Sequence, residues 1–99
     1  LDIETGKQGK HIKGHNNYQQ GKSYLDISME DVQMLVDQYA GTGILERDNH
    51  GRWKHTEVIT QNKQNIGYAI SFRDGKEYPT AVFKIHYSKN GTHIVPTIK

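Results

Sequence analysis

The feature that most limits how this chain can fold is its closing stretch of twenty residues, Thr80-Ala-Val-Phe-Lys-Ile-His-Tyr-Ser-Lys-Asn-Gly-Thr-His-Ile-Val-Pro-Thr-Ile-Lys99. Asn90-Gly91 separates two alternating runs. It is a strong hairpin signal, because both central residues of a type I′ turn need positive φ. With those two residues as the loop, Lys89 pairs with Thr92. Ser88 then faces His93, His86 faces Val95 and Lys84 faces Thr97, all on one side of the ribbon. Phe83 with Ile98, Ile85 with Pro96, and Tyr87 with Ile94 fall on the other side. One face is therefore core. The other collects two histidines, a lysine and two hydroxyls, a set suited to acid–base work on a phosphate.

A chain of 99 residues is expected to form one domain, 1–99, burying roughly 60–65% of its unfolded surface. It is 33% hydrophobic and 24% charged, polar for a globular domain but outside the disordered range. Ten glycines against two prolines point to many turns between short elements. With no cysteine there is no disulfide framework, no thiolate nucleophile and no cysteine zinc knuckle. The net charge of +2 favours a polyanion without being the footprint of a histone-like protein. Lys7, Lys10, Lys13 and Lys22 lie early in the chain, whereas Asp26, Glu30, Asp31 and Asp37 form an acidic stretch after them. No segment reads as a signal peptide or a membrane span. The opening Leu1-Asp-Ile-Glu lacks an initiator Met, which reads as a piece cut from a longer protein.

Residues 1–24 are rich in Gly, Lys, Asn and Gln without a sustained period, which predicts an extended arm with a short helical turn near Asn16–Gln20. A helix is expected over about 28–40. Ser28 with Asp31 forms a capping box, Val32, Leu35, Val36 and Tyr39 form one apolar stripe, and Gly41 and Gly43 supply the stop. Everything beyond reads as strand. Trp53–Ile59 mixes aromatic and β-branched residues. Ile66–Phe72 alternates strictly, with Ile66, Tyr68, Ile70 and Phe72 on one face and Gly67, Ala69 and Ser71 on the other. Arg73-Asp-Gly-Lys76 is a second turn. The expected class is α+β: an N-terminal helical segment packed on an antiparallel sheet of four to five strands. The small side chains of Gly67, Ala69 and Ser71 would leave a shallow groove beside Lys84, His86 and Ser88 if the strands lie close, or merely an exposed face with little to pack.

Six histidines stand among the 99 residues. Histidine is the side chain whose ordinary pKa lets one copy act as base and another as acid near neutrality. His86 and His93 share the polar ribbon face, a spacing that solvated strand histidines also show. His11 and His15 have i, i+4 spacing, but Gly9 and Gly14 argue against a helix there and no zincin carboxylate follows. His11 reads instead as an acid–base or phosphate-contacting residue on an arm whose Lys7, Lys10 and Lys13 attract a polyanion; a solvated basic arm is the plainer account. Gly21-Lys22-Ser23 is only a weak match to a phosphate loop. Glu57 is the carboxylate on a strand interior that could serve as base, or a solvent-facing residue. Trp53 reads as core or as a stacking platform for a base.

Lys7-Gln-Gly-Lys-His-Ile12, Gly14-His-Asn-Asn-Tyr18, Gly21-Lys-Ser-Tyr-Leu25, Tyr39-Ala-Gly-Thr-Gly43 and Lys84-Ile-His-Tyr-Ser-Lys-Asn-Gly-Thr-His-Ile-Val-Pro-Thr97 together resemble the polymorphic toxin type 50 domain. That domain is the C-terminal warhead of large secreted bacterial toxins, with related copies at the ends of phage head-morphogenesis proteins. The likeness covers nearly the whole chain, and the closing block is its most specific part. It implies the fold shared by barnase, EndoU, colicin and RelE ribonucleases, in which helices pack on an antiparallel sheet that serves as an RNA platform.

It further implies a metal-independent endoribonuclease, with no cofactor, in which the RNA's 2′-hydroxyl attacks the adjacent phosphorus. The products are a 2′,3′-cyclic phosphate and a 5′-hydroxyl. The matching positions make His11 and His93 the acid–base pair, with His86 assisting and Lys84, Ser88 and Thr97 on the phosphate oxygens; Lys7 and Lys10 would bind substrate. A barnase-like variant would use Glu57 as base. The expected partners are an RNA, transfer RNA among the candidates, and a cognate immunity protein. The domain is expected to be a monomer, away from membranes, delivered as part of a larger protein to act in a target cell's cytoplasm. Two other readings stay open: a metal-dependent DNA nuclease with His11 and His15 near the cation, and a non-catalytic RNA-binding or phage structural module.

Overall fold

The fold is described by a computed structural model over residues 1–98. Its elements are α1 (Thr5–Gly9), β1 (Tyr24–Leu25), α2 (Met29–Tyr39), β2 (Ile44–Arg47), β3 (Trp53–Ile59), β4 (Gly67–Ile70), β5 (Glu77–Thr80), β6 (Phe83–Ser88) and β7 (Gly91–Pro96). The helix α2 forms where the apolar period places it. Ser28 Oγ accepts from the Asp31 amide at 3.1 Å and the Asp31 carboxylate accepts from the Ser28 amide, closing the capping box. Val32 and Val36 are fully buried, and Leu35 and Tyr39 flank them. Gly41 follows the helix with φ +87°, a conformation that costs glycine little.

The strands make two antiparallel sheets rather than one. β1-β4-β5 form a three-stranded sheet and β2-β3-β6-β7 a four-stranded one. The core joins them: Leu25 and Ile66 at the smaller sheet, Ile59, Phe83, Ile85 and Ile94 of the larger, and Val32 and Val36 of α2. Complete burial of such side chains stabilises the fold by about 1.5–3 kcal/mol each. Tyr39 meets Phe83 edge-on at 6.1 Å, fixing α2 against the apolar face of the larger sheet.

Within the closing hairpin the register differs from the expected one by two residues. Ser88 pairs with Gly91, His86 with His93, Lys84 with Val95 and Phe83 with Pro96, so Lys89-Asn90 is the loop. Neither loop residue has positive φ; Gly91 alone does, at +133°. Its backbone lies so close to the Asp2 carbonyl that an added Cβ would stand 2.8 Å away. A type I′ turn at Asn90-Gly91 is therefore absent. A slip of two preserves the face of every side chain, and Phe83, Ile85 and Ile94 remain fully buried. Ile98, expected opposite Phe83 in the core, is instead half exposed.

The arm is not loose, and its helical turn is α1, Thr5–Gly9, rather than Asn16–Gln20. Two glycines in five residues give it little intrinsic helicity. Glu4 caps it, accepting from the Gly6 and Lys7 amides. β7 is an edge strand of the larger sheet, whose outward polar groups need partners. The Thr92 amide donates to the Asp2 carbonyl (2.8 Å) and the Glu4 amide to the Thr92 carbonyl (2.7 Å). Gln8, completely buried, serves Ile94 through its side chain. Pro96, next in the alternation, has no N–H to satisfy. Gln33 on α2 ties the chain end down further, accepting from the Ile3 amide and donating to the Leu1 carbonyl.

The two faces of β4 are reversed in weight. Gly67 and Ala69 are buried, Tyr68 and Ile70 are partly exposed, and Phe72 is fully exposed. Gly67 is required by close approach, since a Cβ there would lie 2.1 Å from the Tyr24 carbonyl oxygen of β1.

Candidate active site

The observed hairpin register sets His86 directly across from His93, and their rings stack at 4.6 Å with 16° between planes. His11 joins from the other side, its ring 6.1 Å from that of His93 and 12° from parallel. The sequence placed these three as candidates; the tertiary structure makes them one column, His11–His93–His86. His11 reaches it because the chain after α1 is pinned at both ends. Gln8 holds α1 to β7, and the His11 carbonyl accepts from the Leu25 amide at 2.6 Å.

The column is held near neutrality by its surroundings. Burial pushes His93 down to about 4, assisted by the neighbouring imidazoles of His86 and His11 and by Lys7, with Glu4 opposing. His86 is lowered by burial, then by Lys84 and His11, with Glu46 opposing. His11 is lowered by burial and by Lys22 and Lys10, but the Ser23 carbonyl pulls the other way. Its Nδ1 lies 2.9 Å from that carbonyl oxygen. A carbonyl only accepts, so Nδ1 carries the proton and Nε2 is the nitrogen left for chemistry.

Lys84, on the same face, is ion-paired with Glu46 at 3.1 Å, and Glu46 also accepts from the Thr56 hydroxyl at 2.7 Å. The hydroxyl hydrogen bond first, and Lys84 with it, holds the Glu46 carboxylate below its ordinary range. Lys84 is therefore not a bare cation; any anion that reached it would share it with Glu46. Ser88 is turned to the hairpin loop, donating to the Gly91 carbonyl and accepting from the Asn90 amide. Thr97 follows β7, its amide on the Val82 carbonyl and its own carbonyl accepting from the Thr80 hydroxyl. Lys7 and Lys10 are exposed on and just after α1, and both act electrostatically on the column.

A groove of about 930 Å³ opens beside the column. Lys84, His86 and Thr97 line it together with Ala69 and Ser71, so part of the expected groove forms; Gly67 packs against β1 instead, and Ser88 does not line it. Phe72, Arg73 and Tyr78 stand at its rim.

Glu57 does not belong to this site. It is 1% exposed, on the opposite face of β3 from Thr56 and its partner His86. It accepts from the Tyr87 hydroxyl at 2.5 Å and from the Gly41 and Gly43 amides at 3.0 and 2.7 Å. Burial pushes its carboxyl upward, but those three donors outweigh it and keep the group ionised. Trp53 packs on Tyr87 and donates to the Thr56 carbonyl, away from the groove. His15 is turned aside, accepting from the Asn17 amide and lying against Gly9, where an added Cβ would meet its ring at 2.4 Å. Among the described residues no group of three His, Cys, Asp or Glu is arranged to hold a metal ion. Parallel imidazoles keep their lone pairs in separate planes rather than converging on one point.

Sequence reasoning missed Gln8, the Ser23 carbonyl and Glu46. The sequence carries no signal for any of them: Gln8 and the Ser23 carbonyl act through backbone contacts, and Glu46 on β2 reaches Lys84 on β6 across the intervening β3.

The fold and site define a class: a small α+β domain with a three-histidine column beside an open, lysine-edged groove. The family profile described as bacterial toxin 50 matches residues 3–96, and the chain belongs to that family. Among curated proteins none matches it. No helix among the described residues is long and apolar enough to cross a membrane.

Proposed function

We propose that this toxin domain is a metal-independent endoribonuclease and that the histidine column is its acid–base machinery. The observation that carries the reading is the column itself: two imidazoles with ring centroids 4.6 Å apart and a third at 6.1 Å, its end ring His86 lining an open groove. His93 lies between two other imidazoles and gives up its proton most readily, which suits the base. His11 keeps a proton better, because the Ser23 carbonyl favours its charged form; that suits the acid, acting through Nε2.

In this scheme His93 takes the proton of the 2′-hydroxyl as O2′ bonds to phosphorus. The P–O5′ bond breaks, and His11 returns a proton to O5′. The products are a 2′,3′-cyclic phosphate and a 5′-hydroxyl, so atoms and charge balance. The arriving phosphate raises the proton affinity of nearby imidazoles, which helps His11 keep its proton once substrate is bound. Lys84 and the Thr97 hydroxyl face the developing charge, with Lys7 and Lys10 drawing in the polyanion. His86 supports His93, and Ser88 contributes from the hairpin turn. A cognate immunity protein would protect the producer, and the domain would act in the target cell's cytoplasm.

The test is incubation of the domain with total bacterial RNA in excess EDTA, beside His93→Ala. Discrete cleavage with cyclic phosphate ends, lost in the variant, supports the scheme. RNA intact under EDTA but cut once Mg²⁺ or Zn²⁺ is added would overturn it in favour of a metal nuclease. Binding without cleavage under any condition would leave a non-catalytic RNA module.

A further inference from the structure

We propose that the groove between the β4–β5 turn and the β6–β7 face is a base-binding subsite, in which one unpaired RNA base stacks on Phe72. The inference rests on the ribonucleic acid reading above and goes beyond it by naming how the chain grips its substrate next to the reacting phosphate.

Three observations carry it. Phe72 is fully exposed at the rim of the groove, a position where a large apolar ring gains nothing from the folded chain. A half-exposed Tyr78 stands at the same rim, with its hydroxyl held by Asp74, so its ring is fixed in orientation. The groove runs to His86, the last ring of the column, so an occupant of the groove is continuous with the reacting centre. At about 930 Å³ it lies within the range of roughly 300–1,000 Å³ that takes a small ligand, and a nucleotide fits.

The lining matches a base better than it matches a side chain from a protein. Aromatic faces at the rim accept any base by stacking, and the Thr97 hydroxyl supplies a donor and acceptor for a base edge, whereas the Thr80 hydroxyl is already taken up by the Thr97 carbonyl and the Val82 amide. Lys84 inside and the exposed Arg73 at the rim bracket the occupant with positive charge, as a nucleotide's two flanking phosphates require. Ala69, with almost no side chain, leaves the depth that the base occupies. A paired base offers no free face to Phe72, so the subsite selects single-stranded RNA.

The test uses a short single-stranded 2′-O-methyl oligoribonucleotide of mixed sequence, which binds but cannot be cleaved, and the same strand annealed to its complement. Phe72→Ala should weaken the single strand by roughly 5- to 100-fold, and Phe72→Trp should restore it. Affinity for the duplex should be the same in all three proteins. Because Phe72 makes no core contact, the variants should unfold like the parent protein, and a thermal melt checks that. Unchanged single-strand affinity in Phe72→Ala overturns the proposal and returns the groove to a protein partner. The two readings separate cleanly. Phe72-dependent binding without cleavage of natural RNA removes the ribonuclease and keeps the subsite. Cleavage whose KM ignores Phe72 removes the subsite and keeps the ribonuclease.

Discussion

Gln8 and Ile94 form a closed ring of two hydrogen bonds. The Gln8 Nε2 donates to the Ile94 carbonyl at 2.9 Å, and the Ile94 amide donates to Gln8 Oε1 at 2.6 Å. One side chain thus does for the edge of β7 what another strand would do. It also sets the spacing of the column, because Gln8 lies three residues before His11 and Ile94 is next to His93.

Gln8→Leu should destabilise the domain by about 2–4 kcal/mol, as two buried backbone groups lose their partners. Denaturant unfolding measures this, and a loss well under 1 kcal/mol would show that α1 is not needed to close the edge. If the protein stays folded, the chemical shifts of His11 and His93 should move apart from those of the parent while His50, far along the chain on an exposed turn, stays put.

Acid should weaken the fold through the column before it reaches the carboxylates. His93 titrates at about 4 in the folded chain against an ordinary value near 6.5, and His11 and His86 shift the same way. The unfolded chain therefore binds more protons below pH 6.5, so stability is full above that pH and falls as pH drops toward 4. His93→Gln should flatten the dependence of Tm on pH in this window. A slope identical to the parent's would mean that His93 is not held neutral.

The pH profile of RNA cleavage should separate base from acid. With His93 as base and His11 as acid, kcat/KM for the free enzyme rises above about pH 4 as His93 becomes neutral and falls again before 6.5, because burial lowers His11 from its ordinary value and it loses its proton. An optimum on the alkaline side of neutrality would remove this assignment.

Removing the Tyr87 hydroxyl leaves the buried Glu57 carboxylate with two donors instead of three. Tyr87→Phe should cost about 1–3 kcal/mol and should leave cleavage per folded molecule unchanged. Gly43→Ala should be worse for folding, because its Cβ would stand 2.3 Å from the Val58 carbonyl oxygen. Loss of activity in Tyr87→Phe at full folding would reopen a chemical role for Glu57.

Glu46→Gln should strengthen RNA binding at low salt. The substitution removes a negative charge from the column's border and releases Lys84 from its 3.1 Å ion pair, and the gain should fade as salt rises. Equal affinity at all salt concentrations would show that Lys84 does not meet the phosphate backbone.

What the sequence by itself determined is periodic and local. The 3.6-residue stripe and capping box of α2, the span of β3 and the parity of the closing ribbon all follow from neighbours in the chain. Parity alone places Lys84, His86 and His93 on one face, and it survives a two-residue slip because side chains alternate with period two. Register is different. It depends on where the loop closes, and here only Gly91 takes positive φ while the arm's backbone crowds against it. That tertiary contact, rather than the Asn-Gly signal, sets His86 against His93.

The arm itself carried no readable period, since its order comes from bonds to strands some ninety residues away: Asp2 and Glu4 to Thr92, Gln8 to Ile94. Glu57 shows the same limit. Its alternation could not tell a solvent-facing carboxylate from one buried under Tyr87 and two glycine amides. Composition and spacing named the histidines. Only the folded chain, by satisfying the edge of β7 with the arm, could bring His11 to the other two.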